Sequence, residues 1–213
     1  MPIRVMLADD HAVVRAGYRF LLDQDDDFSI AAETGDSDST YHGFFAHQPD
    51  VLVLDLSLPG AGGLTVIRRI ITRQPEAKIL VFTMHEEVLY AKRALEAGAK
   101  GFISKNSDPE ILPDAIRRIA QGGSYIIEPI AQQLVMQYTT GEGVENPMLV
   151  LTNREFEVFG LATRGLTIHE IAATLHLSQK TVANYITGIK RKLGVNTVAE
   201  LVRLAYRYHL DGA

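Results

Sequence analysis

The sequence predicts two units: an α/β unit built as a doubly wound (βα)5 parallel sheet over residues 1–122, and a four-helix unit over residues 148–213. Three observations carry this reading. Short Val/Ile/Leu runs alternate with longer amphipathic stretches through the first 122 residues, the signature of βαβ units. From residue 148 onward only helical patterns occur, three of them opening on a Thr-x-x-Glu capping box. The charge changes with the pattern: net −5 over residues 1–125, −3 over 126–147 and +3 over 148–213.

Taken in order, strand 3–8 leads to helix 13–22, and strand 28–32 to a weaker helix near 38–46. Strand 51–56 leads to helix 63–72, strand 78–83 to helix 88–97, and strand 100–104 to helix 108–120. The strands are nearly continuous apolar runs, as expected where helices cover both faces of a parallel sheet. The last helix should start at Asp108 as N-cap, with Pro109 at its first position. Its apolar face is Ile111, Leu112, Ala115, Ile116 and Ile119, and Gly122–Gly123 punctuates its end. Residues 123–147 read as a linker in which 130–138 forms a short connecting helix and 139–147 is an acidic, glycine-containing stretch. Beyond it, Thr152, Thr167 and Thr197 open helices in capping boxes with Glu155, Glu170 and Glu200. Ser178 caps a further helix to Leu193, stopped by Gly194. Helices 168–175 and 179–193, joined across His176–Leu177–Ser178, make a helix-turn-helix.

Composition excludes several classes. With 46 % hydrophobic and 22 % charged residues the chain has the content of ordinary globular cores. There is no cysteine, which removes disulfides and Cys-ligated zinc and fits a reducing compartment. No apolar run approaches the ~18–20 residues of a membrane span. Met1–Pro2–Ile3–Arg4 runs straight into a strand, not into a signal-peptide core. The basic C-terminal unit points to nucleic acid as the partner of that unit only.

In an open parallel sheet, ligands collect at the carboxyl ends of the strands. Asp9, Asp10, Asp55, Thr83 and Lys105 all lie there: three carboxylates, a hydroxyl and an amine converging on one edge. The set suits an oxygen-liganded Mg²⁺ beside a carboxylate that accepts a phosphoryl group. Phosphate and carboxylates repel, so the acids need a hard divalent cation, while Lys105 and Thr83 hold the phosphoryl oxygens. The bland alternative is that Asp9 and Asp10 cap the next helix and Lys105 pairs with them. Aspartate-nucleophile phosphatases need a second acid two residues after the nucleophile; here that residue is Ser57. The stretch Gly60–Ala61–Gly62–Gly63 has Thr65 where a dinucleotide loop needs its third glycine, so it is a turn feeding a helix. His11 and His85 flank the site without metal-ligand spacing and read first as packing or capping residues. The chain therefore reads as a switch and not an enzyme.

The strings Ala8–Asp9–Asp10–His11, Thr83–Met84–His85 and Ala94–Leu95–Glu96–Ala97–Gly98–Ala99–Lys100–Gly101–Phe102 resemble the receiver domain of two-component response regulators of the NarL/FixJ branch. The resemblance implies that Asp55 is the phosphoacceptor, and that Asp10 and Asp55 ligate Mg²⁺ directly with the Ser57 carbonyl, Asp9 through water. It also implies that Thr83 and Phe102 are switch residues and Lys105 a phosphoryl ligand. Many receivers carry a cis proline after the lysine; here the residue is Asn106, and a cis bond before Asn would cost roughly 3 kcal/mol.

On a wheel at 100° per residue, Val182, Tyr185, Ile186, Ile189 and Leu193 form the buried stripe of helix 179–193. Lys180, Asn184, Thr187, Gly188 and Arg191 face outward, with Lys190 and Lys192 on the flanks. A major-groove helix needs this pattern: central side chains at base edges and flanking cations at phosphates. Asn184 and Thr187 fall at the bases, since Asn reads adenine and Thr meets a thymine methyl. Lys180 is open between base and phosphate; Lys190, Arg191 and Lys192 fall at phosphates. Leu151–Thr152–Asn153–Arg154–Glu155, Thr181–Val182 and Lys192–Leu193 resemble the LuxR/FixJ-type output domain, with departures at Ala183, Tyr185 and Asn196–Thr197. Together the resemblances imply a cytoplasmic transcription factor phosphorylated by a sensor histidine kinase, binding double-stranded DNA, a homodimer when activated, with no membrane. A phosphorelay module whose helical unit binds protein stays open as the alternative.

Overall fold

The computed structural model of the protein describes residues 1–140, 147–208 and 210. The chain forms two compact units, Met1–Thr139 and Thr140–Ala213.

In the first unit, β1 (Ile3–Ala8), β2 (Phe28–Thr34), β3 (Val51–Leu54), β4 (Ile79–Thr83) and β5 (Gly101–Ser104) alternate with α1 (Ala12–Leu22), α2 (Ser37–His47), α3 (Gly63–Arg73), α4 (Val88–Glu96) and α5 (Ile111–Ala120). A two-residue strand β6 (Tyr125–Ile126) and helix α6 (Glu128–Thr140) follow. The sheet order is β2-β1-β3-β4-β5-β6, all pairs parallel. From β1 the chain winds out to β2 on one side and to β3 on the other, so the point where topology reverses lies between the ends of β1 and β3. Alternation along the strands splits the core in two. Val5, Leu7, Val53, Leu80, Phe82 and Ile103 pack on the face covered by α1 and α5, against Leu22, Leu112, Ala115, Ile116 and Ile119. The intervening Met6, Leu52, Leu54, Val81 and Phe102 are buried on the other face.

The sheet carries a sixth strand that a (βα)5 reading lacks. Tyr125 pairs with Gly101 and Ile126 with Phe102. Helix α5 starts at Ile111 with Glu110 as N-cap, two residues later than expected. Asp108 still organises its approach, its carboxylate accepting the Glu110 N–H at 3.0 Å. Helix α6 is longer than the segment expected at 130–138 and buries Ile130 and Leu134. Of the stretch expected as acidic linker, residues 141–146 lie outside the described residues.

In the second unit a short 3-10 turn (Pro147–Val150) precedes α7 (Asn153–Thr163), α8 (Ile168–Thr174), α9 (Gln179–Leu193) and α10 (Val198–Arg207). Thr152 with Glu155 and Thr167 with Glu170 form reciprocal capping boxes. Thr197 accepts the Glu200 N–H, and the Glu200 carboxylate accepts the N–H of Asn196 at 2.7 Å. Ser178 caps α9 by accepting the Thr181 N–H, and Gly194 closes it in a left-handed conformation. The turn between α8 and α9 holds His176 at φ 53°, a conformation that costs a side-chain-bearing residue roughly 1–2 kcal/mol.

Candidate functional site

The ladder between strands sets the backbone of the acid-lined edge one residue past each strand. Asp9 N donates to Thr34 O at 3.0 Å, Asp55 N to Ala8 O at 2.8 Å and Lys105 N to Thr83 O at 2.8 Å. Their side chains therefore leave β1, β3 and β5 at the same edge of the sheet, with Thr83 at the end of β4 between the last two. Lys105 Nζ lies 2.5 Å from Asp9 Oδ2 and 2.5 Å from Asp55 Oδ2, and all three side chains are less than a tenth exposed. The second oxygen of each acid is held locally: Asp9 Oδ1 accepts His11 N at 2.8 Å and Asp55 Oδ1 accepts Ser57 N at 3.2 Å. Asp10 stands beside them, partly exposed. Burial lowers the Lys105 pKa, but Asp55 and then Asp9 outweigh it, so the net shift is upward and the ammonium stays charged. Two buried carboxylates around one ammonium, with the exposed Asp10 next to Asp9 in the chain, leave an excess of negative charge at this edge. This donor set, all oxygen and anionic, fits a hard divalent cation.

Thr83 is fully buried at the end of β4, and its hydroxyl oxygen accepts His85 N at 3.4 Å. Phe102 is fully buried on β5. The His85 ring stacks on Tyr90 at 4.2 Å and its Nε2 lies 3.2 Å from Ser57 Oγ. His11 places Nδ1 2.8 Å from Asp10 Oδ1 instead of capping α1. The bond before Asn106 is trans. Asn106 Nδ2 and Ser104 Oγ both donate to Glu86 Oε1, at 3.0 and 2.7 Å. Those bonds, Ser104 first, hold the Glu86 carboxyl below its ordinary range. The clip ties the loop after Thr83 to the loop carrying Lys105.

Two contributors escape sequence reasoning. Arg15 Nη1 donates to the Asp9 carbonyl, anchoring the acid pair from α1; its only signal is lying one turn after His11. Gly63 is the other. A Cβ there would meet Asp55 O at 2.5 Å and Leu56 Cα at 2.7 Å. Gly63 is thus required by the close approach of α3 to the backbone of Asp55.

In the second unit, Val182, Ile186 and Ile189 of α9 are buried, and Lys180, Asn184, Thr187, Arg191 and Lys192 are exposed. Two of the cations expected at phosphates bond within the fold. Lys192 Nζ lies 2.7 Å from Glu155 Oε2, and Lys190 Nζ donates to Asn196 O at 3.2 Å.

Two family models match. "Response regulator receiver domain" covers residues 5–117, and "Bacterial regulatory proteins, luxR family" covers residues 149–205. The oxygen regulatory protein NreC of Staphylococcus carnosus is 36 % identical over 98 % of this chain and 99 % of its own length. The chain belongs to the NarL/FixJ family of response regulators. The transcriptional activator protein ExaE of Pseudomonas putida is 38 % identical to this response regulator, over 94 % of each chain. Among solved structures it is similar to RcsB of Salmonella enterica serovar Typhimurium bound to promoter P1flhDC in the presence of phosphomimetic BeF3-. That match has 28 % identity, a TM-score of 0.74, and covers 96 % of this chain and 98 % of RcsB. A LuxR-family response regulator from Aurantimonas sp. SI85-9A1 is 39 % identical over 65 % of this response regulator and 99 % of its own chain, with a TM-score of 0.62. The family consists of regulators, not enzymes, and receiver domains of its kind generally use Mg²⁺. No helix among the described residues is long and apolar enough to cross a membrane.

Proposed function

We propose that this response regulator accepts a phosphoryl group on Asp55 from a sensor histidine kinase and binds promoter DNA through α9 as a dimer, in the cytoplasm. The observation that carries the reading is the placement of Lys105 between Asp9 and Asp55, each 2.5 Å away. An Asp55 oxygen attacks phosphorus of the donor, and the bond to the leaving nitrogen breaks. Asp10 and Asp55, with the Ser57 carbonyl, would hold Mg²⁺ directly, and Asp9 would hold it through water. When bound, the cation supplies positive charge that offsets repulsion between carboxylates and the incoming group. The Lys105 ammonium, now shared between two carboxylates, turns to a phosphoryl oxygen in a charge-assisted hydrogen bond. The Thr83 hydroxyl takes another phosphoryl oxygen, and Phe102 follows, a local charge event biasing a two-state element. In the output unit, Asn184 and Thr187 meet bases, Lys180 meets base or phosphate, and Arg191 meets phosphate. Lys190 and Lys192 reach phosphates only by leaving their bonds within the fold. The capture of RcsB on a promoter supports DNA as the ligand.

Incubation with Mg²⁺ and a small acyl-phosphate donor should add one base-labile phosphoryl group, read by intact mass. Asp55→Asn should abolish it. Full labelling of that variant would refute the assignment.

A further inference from the structure

The centre of the exposed face of α9 has an unusual chemistry for a helix taken to read DNA. Ala183, Thr187 and Asn184 lie in that angular order, across about 100° of the wheel at 100° per residue, with Thr187 and Asn184 exposed and Ala183 half-buried. None carries a charge. The usual readers of guanine are Arg or Lys, bidentate to O6 and N7. Here the cations stand at the two ends, Lys180 and Arg191, about 16 Å apart along the axis at 1.5 Å per residue. Lys190 and Lys192 are bonded to Asn196 O and Glu155.

The hydroxyl of Thr187 is committed too. It donates its one hydrogen to Ala183 O at 2.9 Å, back along the helix. What Thr187 presents to a ligand as a recognition group is its methyl. Ala183, one turn earlier, presents a second methyl. Asn184 is exposed, and among the described residues its carboxamide has no hydrogen-bond partner. A carboxamide with donor and acceptor both open matches the N6/N7 edge of adenine. A methyl pair matches the 5-methyl of thymine.

We infer that the centre of α9 selects A·T pairs: Asn184 takes an adenine edge, and the methyl groups of Thr187 and Ala183 pack on thymine methyls. Guanine is read only at the margins of each half-site. This inference rests on DNA being the ligand of α9, and the test separates the two.

The full-length chain, phosphorylated with acyl phosphate, is used to enrich duplexes from a random pool. The expected half-site has A·T pairs at its centre. Each central thymine of the enriched duplex is then replaced by deoxyuridine, which removes only the methyl. Loss of one buried methyl should weaken binding by roughly three- to fivefold. Thr187→Val keeps the methyl and drops the hydroxyl, so it should keep that sensitivity at every position. Thr187→Ser keeps the hydroxyl and drops the methyl, so it should lose the sensitivity at one position. Both variants lie on an exposed surface, and helicity by circular dichroism checks that they fold. Enrichment of a G·C centre, or deoxyuridine duplexes that bind like the parent, would overturn the inference while leaving DNA binding intact. No enrichment, together with no retention of sheared genomic DNA, would overturn the reading beneath it.

Discussion

Replacing Lys192 by Met should lower the thermal stability of the C-terminal unit before it changes how that unit meets DNA. Glu155 Oε2 accepts three hydrogen bonds: from Thr152 N at 2.7 Å, Thr152 Oγ1 at 2.9 Å and Lys192 Nζ at 2.7 Å. The Glu155 side chain is 11 % exposed and that of Lys192 34 %. A hydrogen bond to a charged group contributes about 1.5–3 kcal/mol. The lysine, about one-third exposed, puts this one near the lower end, at roughly 1.5–2 kcal/mol. Methionine keeps the packing of the alkyl stem, and the Thr152 bonds survive, so little else is lost. For a unit of this size, about 1 kcal/mol shifts Tm by roughly 4–8 °C, so calorimetry of the full chain should show the unit melting about 6–16 °C lower. A cycle with Glu155→Gln should return a coupling of about 1 kcal/mol or more. The pH dependence has a definite sign. Burial pushes the Glu155 carboxyl up, but the bonds from Lys192 and Thr152 outweigh it and hold it below its ordinary range. Its contribution is therefore present above the ordinary carboxylate range and lost as pH falls through the lowered value. Lys192→Met should flatten that acid limb. An unchanged Tm in Lys192→Met, together with a salt slope of DNA binding reduced by about 1, would mean that the ammonium serves phosphate and not the cap.

Lys105→Met should leave Asp9 and Asp55 facing each other uncompensated, costing about 3–5 kcal/mol in chemical denaturation at neutral pH; millimolar Mg²⁺ should restore part of it. In the parent chain the upward-shifted Lys105 contributes below the ordinary lysine range and its contribution is lost as pH climbs through the raised value, so the alkaline limb of stability should disappear in the variant. Gly63→Ala drives a Cβ to 2.5 Å from Asp55 O, and should destabilise by about 1–3 kcal/mol and slow phosphorylation, measured by denaturant melt and by rate of labelling. Asp36→Ala removes the acceptor of Asp38 N, Ser39 N and Ser39 Oγ at the start of α2; the loss should be about 1 kcal/mol at pH 7 and should vanish in acid, because those bonds, Ser39 first, lower the Asp36 carboxyl. Light scattering should show phosphorylated chain shifting toward dimer, with Asp55→Asn unmoved by the same donor.

Features written in near neighbours were legible in the sequence alone. The strand and helix periods, the Thr152 and Thr167 capping boxes, both bounds of α9 and the convergence of Asp9, Asp55 and Lys105 all follow from spacings of a few residues or from the rule that parallel strands end together. Tertiary structure decided what depends on partners far along the chain. Strand β6 is two residues long and exists only because β5 offers an edge; the one-residue shift between Val5 and Met6 in the β1–β2 register depends likewise on both strands. Lys105 settles between two carboxylates that lie 96 and 50 residues away. Lys192, which its own helix presents as a groove-facing cation, is drawn 37 residues back to Glu155. A helical wheel ranks side chains by direction, whereas an ammonium beside a buried, already hydrogen-bonded carboxylate is held by the low local dielectric, a property of the assembled fold and of no segment within it.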